Sequence, residues 1–397
     1  MNINNWPKGS RERSIFKNVY CHKAISRPEL KNELSMKGAT LYKLIDRLVE
    51  EDYLQIIGVN QHHAAGRRPE IIQLQQKGNC VFAFALKRNE YHVALVNLGH
   101  EIMIHRSFDI QRDLTPEQLV AHAHSQLNSM CRDTDTPLSD VAAVGLALVG
   151  PLDFGRRLQL GPTHFSASNW QNVPIVDLFE KEFGLEVVFD TLARACLWGS
   201  YIPHLYKHYK NMAYFTVGVG IGSGFLLQEN VIENKDSIFD GLAHMTMEIG
   251  GRKCICGEYG CLEAYATTLE IPRILKRELA IGHPSVLKIT DTITFDVIAN
   301  QAEAGDPLCR NVLMESGIIF AKAILNLLRL FQLEAIIIGG ELIEKSDYFY
   351  QVVCDHIHSK VSSLIIYKQE DENEILLKGI AVKSILPFFS GDQLEND

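Results

Sequence analysis

His244-Met-Thr-Met-Glu-Ile-Gly-Gly-Arg-Lys-Cys254-Ile-Cys256-Gly-Glu-Tyr-Gly-Cys261 gathers three cysteines and a histidine within eighteen residues. A Cys3His donor set satisfies tetrahedral Zn2+ with no open position, so the expected role of His244, Cys254, Cys256 and Cys261 is a structural zinc site. Such a metal pins a loop and performs no chemistry. The competing reading is a disulfide. Cys254 and Cys256 are too close for easy bridging, and the cysteines at 21, 80, 131, 196, 309 and 354 show no framework spacing. A free-thiol loop beside a surface histidine is the bland alternative.

Beyond the cluster, 397 residues with 46% hydrophobic and 22% charged side chains describe ordinary globular protein, enough for two or three domains. No apolar signal segment opens the chain, and no uninterrupted apolar run is long enough to span a bilayer. A cytoplasmic location without a membrane partner is therefore the expectation, in keeping with reduced cysteines. The net charge of -9 argues against a generic nucleic-acid binder, but it is unevenly placed. Residues 1–78 carry 13 Lys plus Arg against 8 Asp plus Glu, and the rest carries 26 against 40. A small basic head on a large acidic body suits a DNA-binding module joined to a sensor or enzyme.

The head has a readable pattern. Ile15, Phe16 and Val19 fall on one face of a helix over Ser10–Tyr20. Ser26-Arg27-Pro28-Glu29 has the form of a capping box, which predicts a short helix from Arg27 to about Leu34. After the turn ending at Lys37, Leu41, Leu44, Ile45 and Leu48 recur at helical spacing over Gly38–Glu51 and predict a buried stripe. The opposite face presents Ala39, Thr40, Lys43 and Arg47, the layout of a helix-turn-helix whose last helix enters the major groove. Lys37 and Tyr42 flank that face and complete the candidate DNA contacts. Two β-prone runs, Tyr53–Val59 and Glu70–Gln75, predict a hairpin wing, and its stem ends in Gly66-Arg67-Arg68-Pro69. Arg67 and Arg68 on an extended segment suit a narrow minor groove; an ordinary solvated basic loop is the alternative.

These residues resemble the winged helix of ROK-family transcriptional repressors, and residues 79–397 resemble the rest of that family. The most specific match is the histidine, nine residues, then Cys-x-Cys-Gly-x-x-Gly-Cys-Leu-Glu, met by His244 and Cys254–Glu263. Gly150-Pro-Leu-Asp153, Asn169-Trp170, Gly218-Val-Gly-Ile-Gly-Ser-Gly224, Gly305-Asp-Pro-Leu308 and Ile336-Ile-Ile-Gly-Gly-Glu341 add weaker matches. One departure lies in the recognition helix, where the family's Thr-Val-Ser reads Thr40-Leu41-Tyr42, which points to a different DNA sequence preference.

The resemblance implies an α/β fold: an N-terminal winged helix-turn-helix at 1–78, then a two-lobed actin-like, sugar-kinase-like body with its ligand cleft between the lobes. Lobe 1 is expected at 79–200 and 380–397, and lobe 2 with the zinc loop at 201–379. Short apolar strands at Tyr91–Leu98, Val141–Leu148, Glu186–Phe189, Ala213–Val217 and Ala335–Ile338, and a helix over Pro307–Phe331, agree with that architecture.

Family kinases open with Asp-x-Gly-Gly-Thr, which holds phosphates on backbone amides. Here Ala85-Leu86-Lys87-Arg88-Asn89-Glu90 stands in that place, so no catalytic residue is assigned and the expectation is a non-enzyme. The family's sugar contacts carry over in part. Asp190, His244 and Glu263 are retained and Asn169 is an added candidate, while Phe189 replaces the Asn of an Asn-Asp pair and Gly241 replaces a Glu.

The resulting expectation is a DNA-binding regulator, a repressor of carbohydrate genes, with structural zinc, a DNA operator and a sugar or sugar-phosphate effector. It would act as a homodimer or homotetramer, since one short helix reads too few base pairs. The rivals are an active ROK sugar kinase with an appended DNA-binding head, and a regulator controlled by a partner protein.

Overall fold

The structure of the chain is a computed structural model and describes residues 3, 6–59, 69–233, 240–369 and 371–390. Its head is built as the local signals dictate. Helix α1 (Ser10–His22) is followed by β1 (Ile25–Ser26), helices α2 (Arg27–Leu34) and α3 (Gly38–Glu50), and strands β2 (Leu54–Val59) and β3 (Glu70–Leu74); the strands pair antiparallel in the order β1-β3-β2. Ser26 and Glu29 exchange hydrogen bonds in a capping box, with Pro28 in the first turn, so α2 starts where its spare amides are satisfied. Helix α3 buries Leu41, Ile45 and Leu48 and leaves Leu44 half-buried. Residues 60–68, and with them Arg67 and Arg68, lie outside the described residues.

The described chain divides into two compact units, Met1–Tyr206 with Asn373–Asp397, and Lys207–Glu372. The sequence-based divisions at 200/201 and 379/380 thus differ from those of the structure, and the head is packed into the first unit rather than set apart at residue 78.

In the first unit, β4 (Cys80–Leu86), β5 (Glu90–Asn97) and β6 (Ile102–Asp109) form an antiparallel meander. Next come α4 (Pro116–Asp133), β7 (Val141–Leu148), the short pair β8 (Leu152–Asp153) and β9 (Leu158–Gln159), α5 (Ile175–Phe183), β10 (Val187–Thr191) and α6 (Leu192–Ser200). The sheet order is β10-β7-β4-β5-β6, with β10, β7 and β4 parallel. Strands β4 and β7 are buried along their whole length, as expected where both faces are covered.

The second unit repeats the plan. Strands β11 (Met212–Val217), β12 (Ile221–Leu227) and β13 (Asn230–Val231) are followed by α7 (Glu270–Ala280), α8 (Phe295–Glu303), α9 (Pro307–Phe331), β14 (Ala335–Gly339), α10 (Glu341–Lys345), α11 (Asp347–His358) and β15 (Ile365–Lys368). Its sheet runs β13-β12-β11-β14-β15. By length and mean hydropathy alone, 1.4 over its most apolar window, helix α9 could cross a membrane, although Arg310, Glu315 and Lys322 interrupt its apolar run. Burial gives its apolar face another role: Leu308, Val312, Phe320, Ile324 and Leu328 belong to the core of this unit.

Helix α12 (Glu372–Ser390) closes the described chain and crosses α6 with the backbones in contact. A Cβ on Gly379 would stand 1.7 Å from the Ala195 carbonyl oxygen, and one on Gly199 would stand 2.0 Å from that of Ile375. Only glycine at both positions permits this approach.

Candidate functional site

The metal-binding candidate is organised by short β bridges. Thr246 pairs with Cys261 and Lys253 with Tyr259, while Met247 N donates to the Gly260 carbonyl at 2.7 Å. Gly260 takes φ +81 with the Glu248 carbonyl against its α-carbon, so a side chain there has neither conformation nor space. Within the loop, Cys254 N donates to the Glu258 carbonyl, folding 254–258 back on itself. His244 Nδ1 comes 3.5 Å from Cys254 Sγ, and Cys256 Sγ lies 3.7 Å from Cys261 Sγ. The four donor atoms all lie within 4.8 Å of one another, so the cluster could hold one metal ion. Burial pushes the Cys254 thiol up to about 12, raises that of Cys261 and holds His244 below its ordinary value. A bound cation reverses that order for the thiols, because the thiolate is the ligating form.

Sequence reasoning missed the residues that set this loop. Asp240 accepts from Ser223 N and Oγ and from the amides of Leu242 and Ala243, which ties the turn carrying His244 to β12. Tyr265 Oη donates to Glu248 and accepts from Arg252 N at 2.9 Å, with the Arg252 guanidinium 4.7 Å from its ring centroid. An Asp followed by Gly and aromatic or acidic neighbours is too common a pattern to have marked them.

The remaining ligand candidates fare unequally. His244 Nε2 faces Glu263 Oε2 at 3.7 Å, so these two share a spot. After Cys261 the chain makes a single 3-10 turn, Leu262–Ala264, before α7 begins at Glu270. Asn169 is exposed with φ +58, beside a buried Trp170 that donates to Gln159 at 2.6 Å. Asp190 is fully buried. Its Oδ1 accepts from Arg194 Nε and from Thr191 N at 2.7 Å, and its Oδ2 accepts from Lys383 Nζ at 2.7 Å. Arg194 in turn lies 4.6 Å over Phe154, which stacks on Phe189 at 5.0 Å. Asn169 and Asp190 belong to the first unit, and His244 and Glu263 to the second.

In the β4–β5 turn, Lys87 N donates to the Glu90 carbonyl and Arg88 Nε to the Thr163 carbonyl at 3.0 Å. In the second unit a cavity of about 380 Å3, lined by Val219, Thr268, Phe295, Asp296, Glu341 and Lys345 among others, opens beside the Gly218 turn. Lys345 is held there between Asp296 and Glu341, each at 2.7 Å.

On the head, Lys37, Ala39, Thr40, Lys43 and Arg47 are exposed and Tyr42 is half-buried. Arg47 is engaged by Glu12 at 2.6 Å and Glu51 at 3.9 Å, a restraint that spacing alone does not reveal for Glu12.

A two-unit body of this topology behind a winged head defines a class, and comparison with known proteins gives the family: the chain matches the ROK family over residues 88–379 and belongs to it. It is similar to the xylose repressor of Caldicellulosiruptor bescii, 22% identical over 353 residues, which are 88% of this chain and 86% of that protein. A solved ROK family transcriptional regulator, a homologue of the E. coli MLC protein, superposes with a TM-score of 0.76 at 22% identity, covering 96% of this chain and 98% of its own. The ROK hexokinase of Thermus thermophilus gives 0.65 at 19% identity and covers 77% of this chain but 98% of its own. The kinase fold therefore accounts for about three quarters of the chain.

Proposed function

We propose that this chain is a sequence-specific DNA-binding transcriptional regulator, a repressor of carbohydrate-utilisation genes relieved by a sugar or sugar derivative in a non-catalytic, kinase-like body. The observation that carries the reading is the head: a capped helix-turn-helix with a paired wing, whose last helix exposes Ala39, Thr40 and Lys43. The likeness to a xylose repressor along most of both chains supports it. In this reading Lys37, Ala39, Thr40, Tyr42, Lys43 and Arg47 meet the major groove, and Arg67 and Arg68 the minor groove. Two heads on a homodimer read a palindrome, in the cytoplasm, where the operator is.

His244, Cys254, Cys256 and Cys261 hold structural Zn2+. Tetrahedral bonds of about 2.3 Å to sulfur and 2.0–2.1 Å to nitrogen place S···S near 3.8 Å and S···N near 3.5 Å. The distances of 3.7 Å and 3.5 Å in the cluster fit. With Nδ1 on the metal side, Nε2 is the atom left to face Glu263 and a sugar hydroxyl, which joins effector contact to the zinc loop. Asn169 and Asp190 complete the candidate effector contacts, Asp190 meeting a hydroxyl only by giving up its bond from Lys383.

The kinase rival asks Asp190 to take a proton from a sugar hydroxyl. A general base must reach that proton, and both Asp190 oxygens already accept from Arg194 and Lys383. Mobility shifts with the gene's own upstream region, with and without a panel of sugars and sugar phosphates, test the proposal. Absence of retardation at low salt would sink it.

A further inference from the structure

Helix α12 touches two places that the sequence gives no reason to connect. One is the ion cluster of Asp190, Arg194 and Lys383, in which Lys383 of α12 reaches the fully buried carboxylate at 2.7 Å. The other is the interior of the DNA-binding head. Phe389, 3% exposed, lies with its ring centroid 5.4 Å from Tyr20, 6.1 Å from Phe16 and 6.3 Å from Trp6, and Trp6 and Phe16 both pack on Tyr53. The last turn of the body's helix is thus part of the head's core.

Lys383 and Phe389 are six residues apart, about 9 Å along a helix axis. Between them stands Pro387, inside the helix. Proline has no N–H, so the carbonyl four residues back, that of Lys383, loses its helical donor. The turn that joins the ion pair to the aromatic seat is consequently the weakest in a helix otherwise clamped at Gly379. A helix held by a buried charge on one side of a soft turn, and by an aromatic plug on the other, suits the passing of a displacement.

We propose that Lys383 and Phe389 are positioning residues for DNA binding: the Lys383–Asp190 ion pair sets α12, and α12, through Phe389, sets α1 and so the placement of α3. A group that draws Asp190 away from Lys383, such as a hydroxyl of the sugar effector, loosens the seat. This last step rests on the proposed function; the coupling of Lys383 to the head does not.

The test is hydrogen exchange of the full chain, with peptides from α1 as the readout and peptides from α4 as the internal control, in wild type, Lys383→Met, Lys383→Arg, Phe389→Ala and the Met/Ala double variant. Lys383→Met is expected to speed α1 exchange by roughly tenfold with α4 unchanged, and Lys383→Arg to return most of the protection. Phe389→Ala should do the same as Lys383→Met, and the double variant should add little to either, the non-additivity that marks one coupled unit. An α1 exchange untouched by Lys383→Met, additive effects in the double variant, or equal acceleration in α4 would each overturn the proposal. Operator affinity measured on the same proteins separates the two readings. Wild type that fails to bind the upstream DNA defeats the regulator, whatever the exchange shows.

Discussion

His100 Nε2 donates to the Tyr20 carbonyl at 2.9 Å, and the two rings stack with centroids 4.4 Å apart, pinning the winged head to the β5–β6 turn of the body. The imidazole is 2% exposed, and burial lowers its pKa to about 4. Lys23, Lys378 and His204 act in the same direction, and the Tyr20 carbonyl opposes them. Unfolded, the ring takes a proton near 6.5, so between 6.5 and 4 the unfolded chain holds the extra proton and stability falls with falling pH. The contribution is fully present above 6.5. Its loss by pH 4 amounts to about 3 kcal/mol. Urea midpoints of wild type and His100→Gln across this range should differ in slope, the variant being flatter; parallel curves would remove the histidine from the account.

Metal analysis of protein purified without chelator should give about one Zn2+ per chain. Cys256→Ser should lose most of it and lower the melting temperature by roughly 10 °C, the shift expected for about 3 kcal/mol in a unit of this size. Metal-free protein with an unchanged melting temperature would refute a structural role.

Lys43→Ala should weaken operator binding by on the order of tenfold and flatten its salt dependence by close to one counterion. Arg47→Ala should cost less, because Glu12 and Glu51 already engage that guanidinium. Anisotropy titrations between 50 and 200 mM salt, roughly the range over which phosphate contacts are lost, measure both quantities. The Arg67→Ala, Arg68→Ala double variant is expected to lose nearly all affinity, and unchanged binding would dismiss the minor-groove role.

Gly379→Ala should destabilise the first unit by about 2–4 kcal/mol, since the added carbon meets the Ala195 carbonyl on a backbone that cannot step aside. Gly155→Ala, whose Cβ would meet only Asp153 Oδ1 at 3.7 Å, serves as the control and should change stability by less than about 0.5 kcal/mol. Thermal melts with matched expression compare the two.

A coupled ADP-release assay across hexoses and amino sugars is expected to show no turnover. Turnover that Asp190→Asn abolishes would instead favour the kinase.

Much of the local structure was legible because its causes are local. The capping box at Ser26 and Glu29 set the start of α2, and the i, i+4, i+7 spacing of Leu41, Ile45 and Leu48 set the buried face of α3. Helix Pro307–Phe331 and strand Val141–Leu148 have the bounds that apolar periodicity predicts. The cluster of His244 and three cysteines was legible for a different reason, since metal ligands must recur at fixed short spacings to reach one ion. By contrast, the buried state of Asp190 was not legible. Nothing near it in sequence announces Lys383, 193 positions away, and the substitution at Phe189 showed a lost polar group without showing the stack on Phe154 that replaced it.

The sequence by itself therefore determined the elements, the candidate metal-binding cluster and the family, because helix periodicity, capping and chelate spacing are properties of a few consecutive turns of chain. Only the tertiary structure decided what the shared residues do. It turned an aspartate of the kinase pattern into the anchor of a C-terminal helix and placed Phe389 in the core of a head that begins at the other end of the chain. Those pairings depend on how two distant segments come to lie side by side. Short-range pattern carries no record of that.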